Sequence, residues 1–64
     1  MINLTRLNGQ EITVNPDQIV SMESTPDTII NFHNGERLLV KESIEDVTRL
    51  VVAFKRRINF HGVA

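Results

Sequence analysis

Apolar and polar positions alternate along the first two thirds of the chain and then change period. Ile2 and Leu4 alternate with Asn3 and Thr5, and Val20 and Met22 alternate with Ser21 and Glu23. Both are the two-residue repeat of strands. Asn8-Gly9 and Asn34-Gly35 each separate two such runs. Asn-Gly favours a two-residue type I′ turn, so two hairpins are expected. The first joins 1–7 to 10–14. The second joins 28–33 to 36–41, with a strand over 19–24 between them. Asn15-Pro16-Asp17-Gln18 and Thr25-Pro26-Asp27 read as turns, with Pro16 and Pro26 pre-setting φ. From Ile44 the apolar residues fall at Val47, Val51, Phe54 and Ile58, with Leu50 beside them. That is helical spacing. Ser43 is a suitable N-cap, with Glu45 and Asp46 in the first turn and Lys55, Arg56 and Arg57 in the last. The expected fold is α+β. It is a small antiparallel sheet of five strands, carrying two Asn-Gly hairpins, with one C-terminal amphipathic helix. It forms a single domain over 1–64, with 59–64 as a flexible tail beyond the helix.

Two-residue turns fix a register. Arg6 then faces Glu11 as a cross-strand ion pair. In the second hairpin Phe32 faces Arg37, Ile30 faces Leu39 and Ile29 faces Val40. One face of that hairpin carries Ile30, Phe32 and Leu39; the other carries Ile29, Leu38 and Val40. Both faces are apolar, and one helix covers only one of them. The sequence thus predicts homo-oligomerisation, with Ile29, Leu38 and Val40 as the self-association surface.

Size points the same way. A chain of 64 residues buries only ~60% of its unfolded surface and gains from extra support. It has no cysteine, which excludes disulfides and Cys-ligated zinc. Its two histidines, His33 and His61, do not make a structural metal site. The net charge is −1, with mixed signs and no strong pull towards nucleic acid or anionic lipid. Arg6 and Asn8 interrupt any leader-like apolar run, and no run approaches the ~20 apolar residues of a membrane span. The expectation is a cytoplasmic protein without membrane insertion.

No motif carries catalysis. His33 sits beside a turn with no companion nucleophile, and Ser21, Ser24 and Ser43 lie in no recognisable context. The reading is of a non-enzyme with no catalytic residue, cofactor or metal. If charged contacts to a partner matter, the candidates are Arg6 and Arg37 on the sheet and Lys55, Arg56 and Arg57 at the helix end. Lys55-Arg56-Arg57 equally suits a solvated helix terminus.

Blocks of sequence add what the pattern does not. Met1-Ile2-Asn3-Leu4-Thr5-Arg6-Leu7-Asn8-Gly9, Asn15-Pro16-Asp17-Gln18-Ile19, Thr25-Pro26-Asp27-Thr28, Asn34-Gly35-Glu36, Val40-Lys41-Glu42-Ser43 and Phe54-Lys55-Arg56-Arg57-Ile58 together resemble the FlbD family of small SwrD-like flagellar proteins. The resemblance runs from Met1 to Ile58. It implies a non-enzymatic accessory role in flagellar and swarming motility. That role is protein binding that supports the power of the flagellar motor through its stator units, at a place peripheral to the motor. A weaker resemblance, on Leu4-Thr5-Arg6 and the order of five strands then a helix, is to the CsrA family of RNA-binding regulators. Only Arg6 and Lys41 map onto such a site, and Glu42, Glu45 and Asp46 crowd it. Phosphate contacts dominate nucleic-acid affinity, so the charge pattern opposes RNA binding.

Overall fold

A computed structural model describes the backbone of residues 1–63 and the side chains of residues 1–57. Five strands form: β1 (Ile2–Thr5), β2 (Glu11–Val14), β3 (Ile19–Ser24), β4 (Thr28–Phe32) and β5 (Arg37–Val40). A short 3-10 turn, Pro16–Gln18, links β2 to β3, and α1 runs Ile44–Val63. All pairings are antiparallel: β1 with β2, and β3–β4–β5 in that order. The two sheets meet where Arg6 bridges to Val40 and the Lys41 amide donates to the Thr5 carbonyl at 2.8 Å. β1 therefore runs on beside β5. The fold class is the α+β arrangement expected of the sequence, with both hairpins in place.

The turns differ by one residue from expectation, and the difference propagates. In the first hairpin the Arg6 amide donates to Gln10 O (2.8 Å) and Gly9 N–H donates to Arg6 O (2.9 Å). In the second, Phe32 N–H donates to Glu36 O (2.9 Å) and Gly35 N–H donates to Phe32 O (3.0 Å). Each loop thus holds three residues, Leu7-Asn8-Gly9 and His33-Asn34-Gly35. Only the glycines take positive φ, +92° and +88°. A type I′ turn needs positive φ at Asn as well; a three-residue loop needs it only at the Gly. Each Asn then uses its side chain. Asn8 Oδ1 accepts from the Gln10 amide and Asn34 Oδ1 from the Glu36 amide, both at 2.9 Å.

One extra loop residue shifts every partner. Ile30 faces Leu38, Ile29 faces Leu39 and Thr28 faces Val40. Glu11 faces Thr5, so the expected Arg6–Glu11 pairing is replaced. Because strand side chains alternate, this slip turns β5 over. Leu38 and Val40, expected on a self-association face, are 6% and 1% exposed and belong to the core with Ile2, Leu4, Val14, Ile30 and Val47. Leu39, expected to pack inward, is 41% exposed.

The other face of β3–β4–β5 is mostly polar. Asn31 Nδ2 donates to Ser21 Oγ (3.1 Å) and Glu23 Oε2 (2.9 Å), and Arg37 lies 3.9 Å from Glu23. Half-buried Ile29 and exposed Leu39 form one apolar pair within it. A sheet with one dry and one wet face needs only one cover. The two-faced hairpin therefore gives no ground for oligomerisation.

The cover is α1. Ser43 caps it: Oγ accepts from the Asp46 amide at 3.1 Å and the carbonyl from the Val47 amide at 2.9 Å. Val47 is fully buried, and Val51 and Phe54 pack half-buried on the core cluster. Leu50 and Val52 are exposed, 38% and 45%. The expected inward place of Ile58 lies outside the described side chains. The helical backbone continues to Val63, past the end at Ile58 that the sequence suggests. The flexibility expected of 59–64 lies outside what the described residues address.

Candidate functional site

A concavity of about 470 Å³ lies between the two hairpins. One wall is β2, through Ile12, Thr13 and Val14, continuing into Asn15 and Gln18. The opposite wall is the second hairpin, through Phe32, Asn34, Glu36, Arg37 and Leu38. Arg6 enters from the end of β1. The floor is apolar, because Val14 and Leu38 belong to the core while Ile12 and Phe32 are only partly covered. The rim is polar and includes Arg6, Glu36 and Arg37, the Arg37 guanidinium also lying 3.9 Å from Glu23 on the outer face.

Backbone geometry builds this cleft. Arg6 lies where β1 gives way to its three-residue loop, held by the Arg6–Gln10 backbone bond and the bridge to Val40. Across the cleft the His33 amide donates to Gln18 O at 2.9 Å and ties the second loop to the 3-10 turn. That turn is capped by Asn15, whose Oδ1 accepts from the Asp17 amide at 3.0 Å, with Pro16 buried beneath it.

Glu42 braces the same region from the other side of the seam. It accepts from the Thr5 amide (Oε1, 2.9 Å) and the Thr5 hydroxyl (Oε2, 2.8 Å). Burial pushes its carboxyl up, but the hydrogen bonds from the Thr5 amide and hydroxyl, helped by its own amide and by Lys41, outweigh burial. The net result is a pKa below the ordinary 4.5. Glu42 therefore contributes stability that is fully present above pH 4.5 and is lost as pH falls through the lowered folded value. Glu42→Gln should cost about 1.5 kcal/mol at neutral pH, the scale of hydrogen bonds to a charged group. It should also flatten the acid limb of a stability–pH curve measured by urea unfolding between pH 3 and 6.

The five expected contact residues separate into three places. Arg6 and Arg37 share the cleft. Lys55 lines a smaller groove of about 170 Å³ with Pro16, Ile19, Met22, Thr48, Val51 and Val52. Arg56 and Arg57 are exposed on α1 away from both. Thr13, Gln18 and Glu36 went unmarked in the sequence. They are ordinary polar residues whose shared location depends on how the hairpins dock.

The hydroxyls have structural tasks: Ser43 caps the helix and Ser21 accepts from Asn31. His33 is exposed at its turn. No group of three metal-ligating side chains gathers among the described residues. No helix among them is long and apolar enough to cross a membrane. The arrangement offers a chemically mixed groove: a hydrophobic floor, a hydrogen-bonding rim, and an arginine residue of each hairpin in its lining.

The model of the family described as FlbD, flagellar and swarming motility proteins, covers residues 1–59. Neither the search of curated proteins nor that of solved structures gave a match.

Proposed function

The chain belongs to the FlbD family of flagellar and swarming motility proteins, and from that premise we propose that it acts without catalysis, in the cytoplasm beside the flagellar motor. In this reading it binds a motor or stator protein and supports motor power. The hairpin cleft is the docking site and an acidic segment of the partner is its occupant. The observation that carries this is that Arg6 and Arg37, far apart in sequence, both line one cleft whose walls also carry the apolar Ile12 and Phe32; the exposed Arg37–Glu23 pair, at 3.9 Å, is loose enough to exchange for a partner's carboxylate. Arginine suits carboxylate recognition because its planar fork can donate two parallel hydrogen bonds. The uncovered part of half-buried Ile12 and Phe32 supplies the apolar centre that interfaces require.

The test uses the purified protein and the cytoplasmic segments of the stator subunits, by titration calorimetry. The Arg6→Ala/Arg37→Ala variant should bind at least ~tenfold more weakly, since each charged contact contributes on the order of 1 kcal/mol. In cells the same variant should swarm poorly while still assembling flagella. Unchanged binding and swarming in this variant would remove the cleft from the mechanism. Equal swarming with the whole gene deleted would remove the motility role. A salt-dependent gel shift with GGA-containing RNA would instead favour an RNA-binding regulator.

A further inference from the structure

The surface of α1 left open by the core is organised around a point between residues 51 and 52. Asp46, Leu50, Ala53 and Arg57 recur at intervals of four, three and four, which places them on one face of a helix. All four are exposed, Leu50 at 38%. Val47, Val51 and Phe54, which pack on the core, lie on the adjacent face. The stripe therefore flanks the buried face.

We propose that this stripe is an isologous interface, and that its occupant is α1 of a second copy of this chain, packed antiparallel. A two-fold axis through the midpoint of the stripe brings Asp46 opposite Arg57 of the partner copy and Leu50 opposite Ala53. Both pairs are generated twice by the same axis. The charges are complementary in both, and the large Leu50 meets the small Ala53 in both. The 4-3-4 spacing is that of helices packed knobs-into-holes. Antiparallel packing also sets each helix's acidic first turn, Glu45 and Asp46, beside the other's cationic Lys55–Arg57 end. The axis runs perpendicular to both helices, so the two sheets fall on the same side of the seam.

The charged ends are available for this. Asp46 engages Arg49 at 3.2 Å through Oδ1 only, in an exposed pair. Arg57 makes no ion pair among the described residues. Three turns of helix per copy bury less than a standard interface of about 1,600 Å². The dimer is accordingly weak and concentration-dependent. Its proposal is independent of the cleft and of what the cleft holds.

Sedimentation equilibrium of the full chain up to about 1 mM, where even a millimolar Kd registers, tests it. Wild type should rise from 7.3 kDa towards twice that mass. Asp46→Arg alone and Arg57→Asp alone each place like charges at both contacts. Each should weaken self-association about tenfold or more. An equimolar mixture of the two variants restores opposite charges at both contacts, so it should dimerise as a heterodimer. Far-UV circular dichroism confirms that each variant remains folded. Mixing also controls for any weakening of the helix start by Asp46→Arg. A wild-type chain that stays at monomer mass overturns the proposal. So does self-association that both single variants leave unchanged, or that mixing fails to restore.

Discussion

Leu38→Ala should lower the unfolding free energy by about 3 kcal/mol, and its neighbour Leu39→Ala by less than about 1 kcal/mol. The chemistry of the two substitutions is the same, so the difference reports position alone. Leu38 is 6% exposed and faces Ile30, which is fully buried; Leu39 is 41% exposed and faces Ile29 on the outer side. Truncating Leu38 removes its transfer free energy and leaves a cavity beside Ile30 and Val40. Truncating Leu39 removes contact with one half-buried neighbour. For a chain this short the total stability is of order 3 to 9 kcal/mol, so Leu38→Ala should remove about a third of it or more. Urea unfolding checks this, with the midpoint shifting and the slope unchanged. A two-residue turn at Asn34-Gly35 would put Leu39 inside and reverse the ranking. The pair of variants is therefore a direct assay of register.

Val47→Asp should cost at least about 4 kcal/mol and release α1 from the sheet, whereas Val52→Asp should cost less than about 1 kcal/mol. Val47 is wholly buried in the core cluster, between the strands and the capped start of the helix. A carboxylate there would be desolvated without a partner, the costly case for a buried charge. Val52 is 45% exposed one and a half turns further on, where a carboxylate stays in water. Aspartate lowers helix propensity equally at both positions, so propensity cancels in the comparison. Once detached, a helix of 20 residues is marginal in water, because nucleation is unfavourable and packing supplies most of its stability. The signal at 222 nm should fall sharply for Val47→Asp and hold for Val52→Asp.

These two pairs mark where sequence reasoning reaches its limit. The Ser43 cap, the inward positions Val47, Val51 and Phe54, and both Asn-Gly reversals are local matters, and each appears in the structure where the residues suggest. Loop length is different. Leu7-Asn8-Gly9 and His33-Asn34-Gly35 can each close with two residues or three, because glycine tolerates the left-handed conformation in both. Nothing inside the loop chooses. The choice follows from which face of β5 finds cover, and Val40 finds it beside Ile30 and Leu4 in the core. The self-association surface inferred on Ile29, Leu38 and Val40 failed through this single step. The candidate cleft shows the same division. Arg6 and Arg37 could be singled out by charge, but their convergence requires the Arg6–Val40 bridge and the His33–Gln18 hydrogen bond.

The residues alone determined where the chain reverses, where the helix starts, which side of the helix turns inward and that the whole resembles a motility family. Those depend on φ preferences, capping groups and periodicity, all carried within a few neighbouring positions. Docking of the hairpins decided the register of both, the burial of Leu38 over Leu39, the joining of β1 to β5 and the existence of the cleft. Each of those balances burial of one apolar set against another across separations of tens of residues, and a one-residue slip changes the outcome without changing any local preference.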